Sequence, residues 1–124
     1  MGVTKTTVEA GNGVDFPRDG ALIDMHYTGY LYDASQPDGK GKKFDSSYDR
    51  KRALQSPIGV SRLIKGWDEG VPQMSLGEKA VLDITPDYGY GASGYPPVIP
   101  PNSRLIFEVH LMAIGTKLAP GYTR

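Results

Sequence analysis

Cysteine is absent from the 124 residues. That excludes a disulfide framework, thiol nucleophiles and thiolate metal ligands, and it fits a reducing compartment. Histidine is scarce: His26 and His110 are the two, and neither has a second ligand at helical or turn spacing, so neither a metal nor another cofactor is expected. Charge of one sign is also lacking. Fourteen Lys and Arg balance fourteen Asp and Glu with no broad basic stripe, which removes nucleic acid from the expected partners. No apolar run approaches a membrane span or a signal-peptide core, so a cytoplasmic chain is expected. Met1-Gly2-Val3-Thr4-Lys5-Thr6 fits the short N-myristoylation template, but a single acyl chain gives only marginal, reversible attachment. No stable membrane association is expected.

Glycine, proline and tyrosine are what the chain does have: 16, 10 and 8 residues. They concentrate in Gly89-Tyr90-Gly91-Ala92-Ser93-Gly94-Tyr95-Pro96-Pro97-Val98-Ile99-Pro100-Pro101. The formal G-x-G-x-x-G at Gly89, Gly91 and Gly94 is a decoy, because a dinucleotide fingerprint must open a helix and the prolines that follow block one. A stiff loop bearing tyrosines beside an apolar groove suits an apolar ligand or a proline-containing peptide.

Glycine and proline punctuate runs that mostly alternate with period two. Ala21, Ile23, Met25 and Tyr27 fall on one face of a strand, with Leu22, Asp24, His26 and Thr28 on the other. Ala80, Leu82 and Ile84 mark a second strand, and Leu105, Phe107, Val109 and Leu111 a third. Thr7-Val8-Glu9 reads as the start of an edge strand. Only from Leu63 to Val71 do apolar residues recur at helical spacing, through Trp67, with Gly70 and Pro72 as the stop. One short helix covering one apolar sheet face makes a two-layer α+β domain over residues 1–124. Asp33 to Gly41 reads as a long hairpin loop or bulge. Residues 116–124 carry few apolar side chains and are expected to form a loose tail.

Familiar catalytic constellations are missing. Both histidines fall on outer strand faces and are expected to be solvent-exposed. Ser46 and Ser47 lie outside any G-x-S-x-G elbow. Asp45 and Asp49 could be paired carboxylates, but the adjacent Arg50 makes an ion pair the commoner arrangement. The run from Lys40 to Arg52 reads as a solvated face. What remains is a set of aromatics, Tyr27, Phe44, Trp67, Tyr88, Tyr90, Tyr95 and Phe107, for which an ordinary core is the default reading in so small a domain; Phe107 and Trp67 could serve both core and pocket, and the tyrosines of the Gly/Pro loop are harder to assign to the core.

The runs HYTGYLYD (26–33), KKFDSSYDR (42–50), LIKGWDEGVPQMSLGEKAVLDITPDYGYG (63–91) and IPPNSRLIFEVHLMAIG (99–115) closely resemble the FKBP family of peptidyl-prolyl isomerases, small proteins that bind tacrolimus and rapamycin. The similarity runs from about Gly13 onward. It implies a strongly bent antiparallel sheet wrapped around one short helix, with the ligand pocket between them. By motif position Trp67 is the implied pocket floor, with Tyr27, Phe44, Phe107, Leu63 and Ile64 as walls. Tyr90, Tyr95 and Ile99 come from the Gly/Pro loop, and Asp45 sits at the pocket edge tied to Tyr27 and Arg50. The Tyr90 hydroxyl and the Ile64 backbone N–H are the implied donors to ligand carbonyls. Tyr27, Asp45, Trp67, Tyr90 and Phe107 are the implied catalytic set.

Three departures from the family pattern stand out. Leu54 stands where the family usually has an aromatic, and Ala53 before it where the family has proline, so one wall is expected to be thinner. The segment Asp33 to Gly41 is several residues longer than usual. Pro97 occupies a loop position often held by glycine. Stiffening of the loop by a fixed φ is the commoner role for such a proline; the alternative is that it offers a proline to the pocket of a second copy, a weak self-contact in an otherwise monomeric protein.

The resemblance implies rotation of X-Pro bonds in proline-containing peptides and proteins, competition by tacrolimus and rapamycin, and drug-dependent engagement of calcineurin or the rapamycin-target kinase. Two other readings stand beside it. A binding module would hold a proline-containing partner with little turnover, and a carbohydrate-binding β-domain would use the tyrosines for stacking but leave the full-length motif match unexplained.

Overall fold

A computed structural model of the chain describes residues 2–124. Met1, the first residue of the acylation template, lies outside the described residues. Gly2 lies at the sheet margin, its N–H donating to Thr85 Oγ1 at 2.7 Å and its carbonyl accepting from Thr85 N at 3.0 Å.

The described strands are β1 (Val3–Glu9), β2 (Leu22–Tyr32), β3 (Lys40–Ser46), β4 (Leu54–Pro57), β5 (Lys79–Ile84), β6 (Leu105–Ile114) and β7 (Lys117–Leu118), with one helix, α1 (Lys65–Gly70). They form a single seven-stranded sheet in the order β1-β5-β6-β2-β3, with β4 also on β2 and β7 on β6. All pairings are antiparallel.

β2 is the organising strand. It pairs with β6 from Ile23 to Leu31, and its remaining edge is shared between β4, opposite Leu22 to Met25, and β3, opposite Thr28 to Tyr32. Register shifts interrupt it at Asp24/Met25, Gly29/Tyr30 and Tyr30/Tyr32. Each shift adds local twist and bend, and the sheet curls around α1 without closing.

The alternation expected on β2, β5 and β6 is realised. Ile23, Met25, Ala80, Leu82, Ile84, Leu105 and Leu111 are fully buried and pack with Trp67 and Val71 in one core. The helix is shorter than the sequence spacing implies. Ile64 sits at φ −59°, ψ 150°, an extended conformation, so Leu63 and Ile64 precede the helix, and Val71–Gln73 continue as a 3₁₀ turn. Pro72 enters that turn near its start, where the missing N–H costs nothing. Gly66 lets the helix sit close to the sheet: a Cβ there would lie 2.6 Å from Ile84 Cδ1.

Four further expectations need correction. Thr7–Glu9 ends β1 rather than starting it, and the run from Lys40 to Arg52 is more than a solvated face, since β3 runs through it and Ser46 and Ser47 are buried. Residues 116–124 are not loose: β7 pairs with β6, Ala119 is buried, and Tyr122 and Arg124 bond to Asp24. The anchor is a buried carboxylate, which apolar periodicity does not register. The histidines are half-buried rather than exposed. They face one another across β2 and β6, His26 stacks on Tyr48 with ring centroids 4.4 Å apart and its Nδ1 lies 2.8 Å from Ser47 Oγ, and His110 Nε2 lies 3.2 Å from the Gly77 carbonyl oxygen. Burial, with a smaller contribution from His110, lowers the His26 pKa below its ordinary value.

Candidate active site

The aromatics come from separate elements and meet at the concave face of the sheet. β2 supplies Tyr27, β3 Phe44, β6 Phe107 and α1 Trp67. The Trp67 ring lies 4.9 Å from both Tyr27 and Phe107, at interplanar angles of 63° and 72°. Phe44 meets Phe107 edge to face at 5.6 Å and 86°. These are the T-shaped arrangements that ring quadrupoles favour. Tyr27, Trp67 and Phe107 are nearly inaccessible, whereas Phe44, Leu54, Leu63, Ile64 and Tyr90 are partly exposed around them. The set is therefore a core whose edge remains partly exposed.

Gly29 makes this packing possible, and the sequence reading did not single it out. A Cβ at Gly29 would lie 2.6 Å from Phe107 Cε1 and 2.7 Å from Phe44 Cζ. Glycine inside a strand often marks such a close approach, which is the signal that the run HYTGY carried.

The Gly/Pro loop is held by its own backbone. Tyr95 N donates to the Ile99 carbonyl at 2.7 Å, Ile99 N donates back at 2.9 Å, and Gly94 N donates to the Tyr90 carbonyl at 3.0 Å. Gly94 adopts φ 63°, and a side chain there would drive into the Ile99 carbonyl. The loop buries Ile99 and leaves Tyr95 63% exposed. Tyr90 lies between them, its ring 5.8 Å from that of Tyr95.

At the polar edge, the Tyr27 hydroxyl donates to Asp45 Oδ2 at 2.6 Å, Arg50 Nη1 donates to Asp45 Oδ1 at 2.5 Å, and Arg50 Nη2 donates to the Tyr27 hydroxyl at 2.5 Å. Asp49 takes no part: it pairs with Lys43 at 3.1 Å. Burial on its own would raise the Asp45 carboxyl, but the bonds from Tyr27 and Arg50 and the Arg50 charge outweigh it and hold the group below the usual carboxylate range. Burial, reinforced by the Asp45 bond, pushes the Tyr27 phenol up to about 12. Burial also raises the Tyr90 phenol, with Asp45 adding to it.

Some donors in this region have no acceptor among the described residues. Trp67 Nε1 is buried and unpaired. The Ile64 N–H and the Tyr90 hydroxyl, on partly exposed residues, also have no acceptor among the described residues, although the Ile64 carbonyl accepts from Trp67 N and Asp68 N. A buried donor such as the Trp67 N–H normally finds a partner, whereas donors on partly exposed residues are open to solvent or to a ligand. A buried aromatic cluster ringed by partly exposed apolar side chains offers the kind of surface that suits an apolar group such as a proline ring.

Comparison with known proteins agrees. The model of the FKBP-type peptidyl-prolyl cis-trans isomerase family matches residues 13–112. FK506-binding protein 1A of Aspergillus fumigatus is 64% identical over 119 residues, covering 96% of this chain and 100% of the relative. A peptidyl-prolyl cis-trans isomerase of Schizosaccharomyces pombe is 59% identical over 119 residues with the same coverage. FK506-binding protein 1 of Yarrowia lipolytica is 47% identical over 115 residues, 93% of this chain and 100% of the relative. The chain belongs to the FKBP-type peptidyl-prolyl cis-trans isomerase family.

Proposed function

We propose that the aromatic cleft takes the proline ring of an X-Pro segment and catalyses rotation about the preceding amide, with Trp67 as floor and Tyr27, Phe44, Leu54, Leu63, Ile64, Ile99 and Phe107 as walls. The observation that carries this is the combination of a dry aromatic surface with the unpaired Ile64 N–H and Tyr90 hydroxyl at its margin. Rotation meets a barrier of about 18–20 kcal/mol because it breaks amide resonance. It moves no proton and breaks no covalent bond, so the cleft requires no triad and no metal.

The planar amide is charge-separated, with density on oxygen, whereas the twisted amide is less so. A cleft lined by rings instead of water therefore favours the twisted form. The Ile64 N–H and the Tyr90 hydroxyl orient the flanking carbonyls, so that binding energy is applied at the geometry of the transition state. Asp45, held ionised by Tyr27 and Arg50, acts on the carbonyl that turns. Tyr95, exposed beside Tyr90, contacts the chain flanking the proline.

FK506 is a ligand of this cleft on the same reasoning, since two relatives carry its name, and rapamycin is a competitor. The drug complex would present residues 95–98 to calcineurin or to the rapamycin-target kinase. The working location is the cytoplasm, and folding proteins are the substrates. Pro97 lies on the exposed tip beside Tyr95, where it gives an otherwise monomeric chain a weak self-contact through the cleft of a second copy. Pro97→Gly should remove any concentration-dependent rise in molecular weight, and FK506 should do the same to the wild type.

Isomerisation of a short X-Pro peptide, followed by coupled proteolysis and repeated with FK506, tests the reading. Turnover above the uncatalysed rate, abolished by the drug, is expected. Tight binding of proline peptides without acceleration would make the protein a binding module instead.

A further inference from the structure

Arg50 has a second side. Its inner nitrogens engage Tyr27 and Asp45, but half of the side chain remains exposed, and that part lines a separate cavity of about 710 Å³ together with Lys51, Arg52, Leu54, Asp24 and Arg124. The turn after β3 builds this wall. Arg50 N and Arg52 N both donate to the Ser47 carbonyl, at 3.1 and 3.3 Å, and Lys51 between them adopts φ 55°, a region that a lysine enters at some cost. Consecutive cations are thereby fixed along one rim, and the tail brings Arg124 to the same cavity.

The side-chain carboxylates within reach are already committed. Asp24 is buried and accepts from Gln55 at 3.0 Å, Tyr122 at 2.7 Å and Arg124 at 3.1 Å. Asp45 is taken by Tyr27 and the inner edge of Arg50. Lys51 and Arg52 form no ion pair among the described residues. A chain of zero formal net charge thus leaves two adjacent cations, Lys51 and Arg52, without a paired carboxylate at the rim of one concavity, where they attract an incoming anion.

We propose that this cavity is a subsite for an anionic side chain, a carboxylate or a phosphoryl group, carried by the polypeptide whose prolyl bond occupies the aromatic cleft. The inference rests on the isomerase reading of that cleft. The two sites share walls: Arg50 bonds to cleft residues and lines the cavity, and Leu54 packs against the aromatic core and lines it too. An extended peptide advances about 3.3–3.6 Å per residue, so the number of residues between the proline and the acidic side chain sets whether it reaches the rim around the sheet edge formed by Arg50 and Leu54. Lys51 and Arg52 then supply charge-assisted hydrogen bonds to its oxygens. Arg124 lies beyond residues 13–112 that the family model matches, so the tail completes a feature outside the shared domain.

The test uses matched X-Pro peptides carrying glutamine, glutamate or phosphoserine at successive positions on either side of the proline, assayed for kcat/KM at low and high salt. At one or two positions glutamate and phosphoserine should exceed glutamine by about tenfold, equivalent to about 1.4 kcal/mol. The gain should vanish at high salt and in a Lys51→Gln, Arg52→Gln double variant that turns over the glutamine peptide like the wild type. Inorganic phosphate should inhibit the acidic peptides selectively. Equal kcat/KM for all three peptides at every position would overturn the subsite, as would a gain that survives in the double variant. Phosphate shifting the Lys51 and Arg52 amide NMR signals with no peptide advantage would mean a site for a small free ion, also against the proposal. Loss of turnover on the glutamine peptide in the wild type would sink the isomerase reading, and the subsite with it.

Discussion

Gly29 and Phe107 touch where one side-chain atom would separate them: the Cβ that Gly29 lacks would sit 2.6 Å from Phe107 Cε1. Phe44 closes on the same point from β3. Backbone and rings are in contact, so the shape of the cleft depends on a residue with no side chain. Gly29→Ala should push both rings out of place. Overpacking a filled core costs about 1–3 kcal/mol, and activity should fall further than that loss of stability explains. Thermal melting beside kcat/KM on one peptide checks it; wild-type activity at a reduced melting temperature would show that ring placement is not critical.

The polar edge fixes the expected pH behaviour. Asp45 is depressed below its ordinary value of 3.8, first against burial and then through Tyr27 and Arg50. Its contribution to stability is complete above the unfolded value of about 3.9 and is lost as pH falls through the lower folded value. Tyr27 is raised from 10.0 to about 12, so its contribution is complete below 10.0 and lost as pH rises through about 12. Neither group titrates between these limits. The profile of kcat/KM should be flat from about pH 5 to 9, and a bell centred near neutrality would point to a titrating acid or base that the cleft does not contain.

The tail gives a stability prediction. Asp24 is 2% exposed and relies on Tyr122 and Arg124 across nearly the full length of the sequence. Burial by itself would raise its pKa, and the bonds from Arg124, Gln55 and Tyr122 reverse the sign. Tyr122→Phe should cost about 0.5–1.5 kcal/mol, and removal of residues 117–124 about 1–3 kcal/mol more, since a buried carboxylate is left under-satisfied. Asp24→Asn should recover part of the loss in the shortened chain. Denaturant titration measures each; an unchanged midpoint on truncation would mean that the tail rests on the domain without stabilising it.

The same contrast shows what the sequence could convey. Ala80, Leu82 and Ile84 alternate because one face of β5 is buried, and period two is a local signal. Trp67 and Phe107 could be assigned to a common site only through the motif match, because their proximity depends on how β6 curls past α1. Asp24 alternates like an outer-face residue, and its burial becomes intelligible only once Arg124 is seen to reach it. The same holds for Arg50, whose pairing with Asp45 is suggested by short spacing but whose bond to Tyr27 requires the β2–β3 register. Local pattern fixes which face is apolar; long-range polar closure leaves no periodic trace.

Trp67 and Tyr90 separate scaffold from ligand contact. Trp67 is 7% exposed and touches Tyr27 and Phe107 through its ring, so Trp67→Ala removes packing as well as the proposed pocket floor. A buried aromatic truncated to alanine typically costs about 3–5 kcal/mol, and both melting temperature and activity should fall. Tyr90 is partly exposed, and its hydroxyl donates to no group among the described residues, so Tyr90→Phe deletes no intramolecular bond. Folding should be nearly unchanged, while peptide and FK506 binding weaken by about 0.5–1.5 kcal/mol, the net scale of one hydrogen bond. Calorimetric titration with the drug, run beside thermal melts of both variants, distinguishes the roles. If Tyr90→Phe lowers the melting temperature as much as Trp67→Ala while the affinity is unchanged, the hydroxyl serves the fold and the donor to the ligand carbonyl must be sought elsewhere.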